Sequence, residues 1–148
     1  MQFLWIILPV FAGALLTIQA AVNGSLGHKA GTEIATLVSF SAGTVALGIV
    51  VWFWGDGSFT ALLHSPQWQW LALAWGVMFV FLMVLVVPKI GVVVTTVLVI
   101  AGQLGVSMLV DHFGLFGNAV IPFGIKRLLG LLLLLAALYF IFRAKKTR

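Results

Sequence analysis

The chain has 148 residues, of which 63% are hydrophobic and only 7% are charged, and its mean hydropathy is +1.23. A soluble domain carries about a quarter of its residues as charged side chains, so this composition excludes one. The net charge is +5, but four of the eight basic residues lie in the last six positions, which is typical of a membrane-orientation signal and not of nucleic-acid binding. The absence of cysteine excludes disulfides, thiolate metal sites and a cysteine nucleophile.

Apolar runs of roughly 20 residues, the length of a membrane-spanning helix, alternate with short polar clusters. Barrel strands would instead alternate in polarity over about 10 residues, and the run GLLLLLAALYFIF (130–142) does not alternate. We therefore predict an all-α integral membrane protein with a single transmembrane domain over residues 1–148. Its five spans are predicted at about 3–22, 33–54, 68–87, 92–110 and 126–142, with a basic tail at 143–148.

The first span is expected to be retained, because it lacks the basic start of a signal peptide and its apolar stretch exceeds the usual length of about 7–15 residues. The segment after it, NGSLGHKAG (23–31), contains three glycines and is predicted to break the helix. Thr32 is predicted to cap the second helix at its N-terminus. Glu33 then lies in the first turn, where a carboxylate suits the positive end of the helix dipole.

The middle of the chain contains a face of small residues and two segments that are predicted to connect helices. Ala35, Ser39 and Gly43 share one face of the second span and allow another helix to approach closely. GDGSFTALLHSPQ (55–67) is predicted to be a loop. PKIG (88–91) is predicted to be a tight connection, which would make the third and fourth spans antiparallel neighbours.

Polar side chains line up on two of the predicted spans. Gln19 and Asn23 lie one helical turn apart, and four polar residues of the fourth span fall within a stripe about 80° wide. These four are Thr96, Gln103, Ser107 and Asp111. An unpaired polar group in lipid costs several kcal/mol, so these side chains are expected to face protein or a wet cavity. Two interpretations stay open: hydrogen bonds between helices, worth about 0.6 kcal/mol each, or a polar-lined cavity at the centre of the bundle.

The acidic residues Glu33 and Asp111 lie at the ends of predicted spans, and no acidic residue lies in the middle of one. Asp111 begins the predicted loop DHFGLFGNAVIPFG (111–124) and opposes the helix dipole by about 0.3–1 kcal/mol. It is therefore expected to pair with Lys126 or Arg127. For both carboxylates, an ordinary ion-pair or first-turn role and a role in ion or proton coupling stay open.

The sequence contains no arrangement of side chains that indicates catalysis. His28, His64 and His112 are far apart in the chain and lack the spacing of metal ligands. No nucleophile–base arrangement and no phosphate-binding glycine loop is present. We therefore expect no metal, no cofactor and no enzymatic activity.

The basic residues predict how the chain is oriented in the membrane. Five spans place the termini on opposite sides, and Lys29, Lys89 and the tail place six basic residues on one side, whereas Lys126 and Arg127 place two on the other. The positive-inside rule then favours an N-terminus outside and a C-terminus in the cytoplasm. Without the tail the two sides carry two basic residues each. Insertion in both orientations, with an antiparallel dimer of ten helices, therefore stays an open alternative.

Four segments together cover most of the chain: GALLTIQAAVNGSLG (13–27), ATLVSFSAGTVAL (35–47), VLVIAGQLGVSMLVDHFGLFG (97–117) and RLLGLLLLLAAL (127–138). With these segments the chain resembles the YdcZ-like family, a five-helix, half-size branch of the drug/metabolite transporter superfamily. The Gln-x-x-x-Asn element and the Gly-Gln…Asp-His-Phe-Gly element carry the resemblance most specifically, whereas the leucine-rich end is generic.

The resemblance implies a helical bundle with a central substrate path, in the bacterial cytoplasmic (inner) membrane. It also implies that two halves build the bundle, either two copies of the chain or a paralogous pair. The four-helix multidrug exporters of the same superfamily carry a glutamate inside their first span. The first span here has no acidic residue, which argues against antiport by that mechanism.

We therefore expect a multi-pass membrane transporter, a permease or exporter, of a small organic solute that works as a dimer of five-helix halves around a polar-lined cavity. The predicted substrate-binding residues are Gln19, Asn23, Gln103 and Ser107, and Glu33 and Asp111 are candidates for coupling or ion pairs. The expected partners are the lipid bilayer, the solute and a second chain, in a homodimer or a paralogous heterodimer. The alternative is a non-transporting membrane subunit or scaffold, or a lipid-handling protein, in which the polar stripes only join helices.

Overall fold

The computed structural model describes residues 2–146, and these residues are almost entirely helical. Five of the helices are long and apolar enough to cross a membrane, which confirms the predicted all-α fold with five spans. A helix of five residues and a 3-10 turn (115–117) lie in the connecting segments. The helices are α1 (Gln2–Ala30), α2 (Thr32–Trp54), α3 (Phe59–Leu63), α4 (Gln67–Ile90), α5 (Val92–Phe113) and α6 (Ile125–Lys146).

The helices form two compact units, Met1–Lys89 and Ile90–Arg148. In the first unit α1 packs against α2 and against α4. In the second unit α5 packs against α6. Most large apolar side chains are exposed in both units. Lipid tails are as apolar as leucine, so these helices associate through close packing and hydrogen bonds and gain little from burying apolar surface.

The predicted break after the first span is wrong, because α1 continues as one helix to Ala30. Two of the three glycines in this segment lie inside the helix and serve close packing against α4. A Cβ atom at Gly24 would lie 2.8 Å from Cγ1 of Val87, and a Cβ atom at Gly27 would collide with Cγ1 of Val84. These glycines therefore let two helices approach, and only Gly31, with φ of 94°, ends α1.

The predicted N-cap of α2 is also wrong, because Gly31 occupies that position and Thr32 is the first helical residue. A single residue joins α1 to α2, and its positive φ is a conformation that glycine adopts without a steric penalty. One turn further along α2, the Thr36 hydroxyl donates to the carbonyl oxygen of Thr32 at 2.8 Å. Glu33 does lie in the first turn of α2, as predicted.

The remaining boundaries differ from the prediction by a few residues. The predicted loop at 55–67 contains the short helix α3, and Pro88 belongs to the last turn of α4, so that Gly91 alone connects α4 to α5. Gly91 has φ of 86°, close to the value at Gly31. The predicted tail begins inside α6, which continues to Lys146; residues 147–148 lie outside the described part of the chain.

Candidate functional site

In the first unit, the two amides of α1 lie against one hydroxyl of α2. Asn23 Nδ2 donates to Ser39 Oγ at 2.9 Å, and Gln19 Nε2 lies 3.4 Å from the same oxygen. Asn23 and Ser39 stand eight residues before and eight residues after Gly31, as expected for two antiparallel helices joined at that glycine. We refer to Gln19, Asn23 and Ser39 as the amide cluster.

The amide cluster leaves hydrogen-bonding capacity unused. Ser39 Oγ accepts from both amides, so its own proton remains available to an acceptor. Each amide also has a carbonyl oxygen, and no described side chain donates to it. Asn23 is only 8% exposed. Among the described side chains, no fully shielded nitrogen or oxygen lacks a partner, so the carbonyl oxygen of Asn23 reaches accessible space. The cluster therefore offers hydrogen-bond acceptors to a small molecule.

The space between α1 and α4 beside the cluster is small. A cleft of about 10 Å³ is lined from α1 by Leu16, Gln19, Ala20 and Asn23 and from α4 by Phe79, Val80 and Met83. A single water needs roughly 10–15 Å³. This cleft holds at most one water and has no room for an organic solute.

In the second unit, the predicted polar stripe of α5 lies away from the packed side of the helix. Val94, Thr95 and Met108 are the buried residues of α5, whereas Gln103 and Ser107 are exposed. At 100° per residue, the buried residues and the polar stripe occupy different sides of the helix. Ser107 Oγ donates to the carbonyl oxygen of Leu104 at 2.9 Å, which satisfies its proton within the helix.

Asp111 lies in the last turn of α5, and Arg127 of α6 pairs with it. Arg127 Nη1 lies 2.9 Å from Asp111 Oδ2, and the two side chains are 39% and 33% exposed. An ion pair at this exposure stabilises the fold by about 0–1 kcal/mol. A carboxylate at a helix C-terminus destabilises the helix by a similar amount. Of the two predicted partners, Arg127 is therefore the one that compensates Asp111.

The same helix end also positions the segment between α5 and α6. Gly114, with φ of 59°, ends α5 in the left-handed conformation. The carbonyl oxygen of Asp111 accepts from the backbone N–H of Ile121 at 2.8 Å. His112 Nδ1 accepts from the backbone N–H of Phe123 at 3.2 Å. The carboxylate and the neighbouring imidazole of this turn thus both contribute to connecting α5 to α6.

The sequence prediction missed Ser39 as a member of the site. The sequence pattern places Ser39 on a small-residue face of the second span and indicates only a packing position. Ser39 and Asn23 are equally far from Gly31 in the sequence, and this symmetry is the signal that would indicate their contact. The signal depends on a helix end at Gly31, whereas the sequence pattern predicts the end at residue 22.

The structure therefore brings two of the predicted site residues together and assigns two others to the second unit. Gln19 and Asn23 share a partner in the first unit, whereas Gln103 and Ser107 belong to the exposed face of α5 in the second unit. Glu33 is exposed in the first turn of α2. Within the described residues, no group of three or more His, Cys, Asp or Glu side chains is arranged to hold a metal ion.

Comparison with known proteins identifies the chain at the level of its family. Residues 4–140 match the drug/metabolite transporter family described as "Putative inner membrane exporter, YdcZ". No curated protein and no solved structure matches the chain significantly. The family match spans all five membrane-spanning helices and agrees with the resemblance found in the sequence. The chain therefore belongs to the YdcZ family, a family of inner membrane proteins described as exporters.

Proposed function

We propose that the chain is one half of a dimeric exporter of a small organic solute, with Gln19, Asn23, Gln103 and Ser107 lining the solute path. The observation that carries this proposal is the exposed polar face of α5. Gln103 and Ser107 are exposed and lie on a different side of α5 from its buried residues. A primary amide exposed to lipid costs several kcal/mol. A second chain or a hydrated path offsets that cost.

The amide cluster supports the same proposal from the first unit. Its free carbonyl oxygens and the Ser39 proton suit a solute that both donates and accepts hydrogen bonds. The cleft beside the cluster holds no more than one water, so the solute path is proposed to form only when two halves come together. The partner is a second copy, in a parallel or an antiparallel arrangement, or a paralogous chain. We place the N-terminus outside and the C-terminus in the cytoplasm.

Glu33 and Asp111 differ as candidates for a group that couples export to the movement of an ion or a proton. Asp111 is already paired with Arg127, so a change in its charge would first break that pair. Glu33 has no cation within ion-pair distance among the described side chains. We therefore propose Glu33 as the better candidate for a coupling group and Asp111 as a structural ion pair.

The first test replaces Asn23 and Gln103 by leucine in one protein. Solutes that accumulate in the medium of cells expressing the unchanged protein are identified by comparison with cells carrying an empty vector. The double variant should lose this export, by about 10-fold or more, because two hydrogen-bonding contacts of about 1 kcal/mol each are removed from the path. Gln69→Leu is the matched control, since it removes an exposed amide near the start of α4 and should leave export unchanged.

Full export by the double variant would refute the assignment of these residues. Amount in the membrane, helical content and elution volume in detergent are measured alongside, so that loss of export in a folded dimer is separated from loss of protein.

A second function is favoured by one observation, the hydrogen bond of 2.9 Å between Asn23 and Ser39. It joins two helices in the way expected of a non-transporting subunit, a scaffold or a lipid-handling protein. In that case the double variant should have a lower melting temperature in detergent and the same export as the unchanged protein. Loss of the Asn23–Ser39 hydrogen bond lowers the melting temperature under either function, so export separates the two. The proposed exporter predicts that the double variant loses export and that Gln103→Leu alone changes the melting temperature little.

A further inference from the structure

The segment that leads from α5 into α6 folds back on the end of α5. Residues 118–124, which we call the return segment, contain no helix. The backbone N–H of Ile121 donates to the carbonyl oxygen of Asp111 at 2.8 Å. The backbone N–H of Phe123 donates to Nδ1 of His112 at 3.2 Å. Two hydrogen bonds from alternate residues therefore attach the return segment to the last turn of α5.

Close packing accompanies these two hydrogen bonds. Gly114 ends α5 with φ of 59°, and a Cβ atom there would lie 2.7 Å from Cγ2 of Val120. The rings of His112 and Phe123 are nearly perpendicular, with 6.3 Å between their centroids. This spacing lies in the range that aromatic pairs prefer. The contacts keep the backbone of Phe123 beside the imidazole.

The bond from Phe123 depends on the protonation state of His112. A backbone N–H only donates, so Nδ1 accepts with its lone pair and the proton of the neutral ring lies on Nε2. A protonated imidazole has an N–H group at each nitrogen and accepts no hydrogen bond. Two donors would then face each other across the 3.2 Å between Nδ1 and the backbone nitrogen. Protonation of His112 therefore removes one of the two attachments of the return segment.

The charged groups around His112 are few. Asp111 precedes it on α5, and Lys126 and Arg127 lie in the first turn of α6. Arg127 pairs with Asp111 at 2.9 Å. The next charged residue of α6, Arg143, lies about four helical turns beyond Arg127. The return segment itself contains no titratable side chain. Among these residue types, only histidine ordinarily changes its charge between about pH 5 and pH 8.

We propose that His112 is a pH-sensitive latch: the neutral imidazole holds the return segment against α5, and the protonated imidazole releases it. The return segment leads directly into α6, so its release loosens the connection between the two helices, whereas the ion pair between Asp111 and Arg127 remains. With the N-terminus outside, as proposed above, this end of α5 faces the outer compartment and senses its pH. The latch does not depend on export, and a chain that exports nothing would still show it.

The test measures the mobility of the return segment as a function of pH. The chain contains no cysteine, so Ala119→Cys provides a single attachment site for a nitroxide spin label, at an exposed position. Electron paramagnetic resonance spectra of the full chain in detergent are recorded between about pH 5 and pH 8. The ratio of mobile to immobile label should rise by about 10-fold as the pH falls, because one hydrogen bond is replaced by two opposed donors.

Two variants of His112 should respond in opposite ways. His112→Asn keeps an acceptor oxygen at the side-chain position of Nδ1 and takes up no proton, so the label should stay immobile over the whole pH range. His112→Leu has no acceptor, so the label should be mobile over the whole range. A merely structural role of the ring would not give this opposite response. His64→Gln is the matched control, because it removes an exposed histidine of the first unit and should keep the transition.

Three results would overturn the proposal: a label whose mobility is independent of pH while His112 is present, a transition that persists in His112→Asn, or a transition that disappears in Asp111→Asn. The last result would assign the transition to the carboxylate and not to the imidazole.

A second measurement needs no label and applies if the labelled variant fails to fold. Hydrogen exchange of the return segment, corrected for the pH dependence of the chemical exchange rate, should show about 10-fold less protection when His112 is protonated. Equal protection across the pH range would contradict the latch. Helical content and elution volume in detergent confirm that each variant is folded.

Discussion

At the residue scale, the main feature is one serine hydroxyl that serves two amides. Ser39 Oγ lies 2.9 Å from the Asn23 amide nitrogen and 3.4 Å from that of Gln19. In a bilayer the alternative partners of these groups are few, because lipid tails offer no hydrogen bonds. A small hydroxyl therefore holds α1 and α2 together and also orients the amides, with their carbonyl oxygens left available.

Ser39→Ala should lower the melting temperature in detergent. It removes the acceptor of both amides, and hydrogen bonds between membrane helices average about 0.6 kcal/mol each. The combined loss of about 1 kcal/mol corresponds to a decrease of roughly 2–4 °C for a chain of this size. Ser41→Ala is the matched control, because Ser41 lies on the same helix and is exposed. Equal melting temperatures for the two variants would contradict the role of Ser39.

At the element scale, glycines decide where helices pack and where they end. Gly24 and Gly27 have helical backbone and lie against Val87 and Val84 of α4, which are buried. Gly31 ends α1 because its φ of 94° is incompatible with a helix. The same residue type thus has two uses within eight positions. Which use applies depends on whether another helix faces the glycine.

Gly24→Ala and Gly27→Ala should each destabilise the first unit by about 1–3 kcal/mol, the usual cost of adding a methyl group to a packed contact. Valine is stiff at χ1, so Val87 and Val84 cannot easily move aside. Gly13→Ala is the matched control, since nothing lies within 4 Å of the added Cβ. It should be neutral or slightly stabilising, because alanine favours helix over glycine.

A second variant keeps this prediction testable if a single change prevents folding. Val84→Ala combined with Gly27→Ala removes the atom that the new Cβ would meet and should recover part of the lost stability. The measurement is thermal unfolding in detergent, followed by circular dichroism. If Gly13→Ala proved as destabilising as Gly27→Ala, close packing against α4 would not be the reason for the glycine.

At the scale of the whole molecule, the number of spans and the distribution of basic residues determine orientation. Five helices can cross the membrane, so the termini lie on opposite sides if all of them do. Six basic residues lie on the predicted cytoplasmic side and two on the other. Four of those six belong to residues 143–148, so the orientation depends mainly on the end of the chain.

Replacing the four basic residues of 143–148 by glutamine should change a single orientation into a mixture, because two basic residues then remain on each side. A reporter fused to the C-terminus, active only in the cytoplasm, measures the fraction in each orientation. The unchanged chain should show a cytoplasmic C-terminus. A C-terminus that stays on one side after the replacement would contradict this prediction, and a mixture in the unchanged chain would favour the antiparallel dimer.

The amino-acid sequence alone suffices to predict the fold class and the approximate spans, because a run of about 20 apolar residues has few stable forms in lipid other than a helix. It also determined that Gln19 and Asn23 lie on one face, since positions i and i+4 are adjacent on any α-helix. The pairing of Asp111 was predictable to within two candidates, because a carboxylate at a helix C-terminus needs a nearby cation and only two lie within reach.

Which glycines end a helix and which allow close packing depends on the packing of the helices, because glycine suits both roles and the residue that faces it on the neighbouring helix makes the difference. The packing also determines the partner of the two amides. Ser39 meets Asn23 only because α1 continues to Ala30 and turns at Gly31, so an error of eight residues in the helix end hides the contact. The spacing of residues along the chain predicts which side chains share a face of one helix. The site depends in addition on the register between two helices.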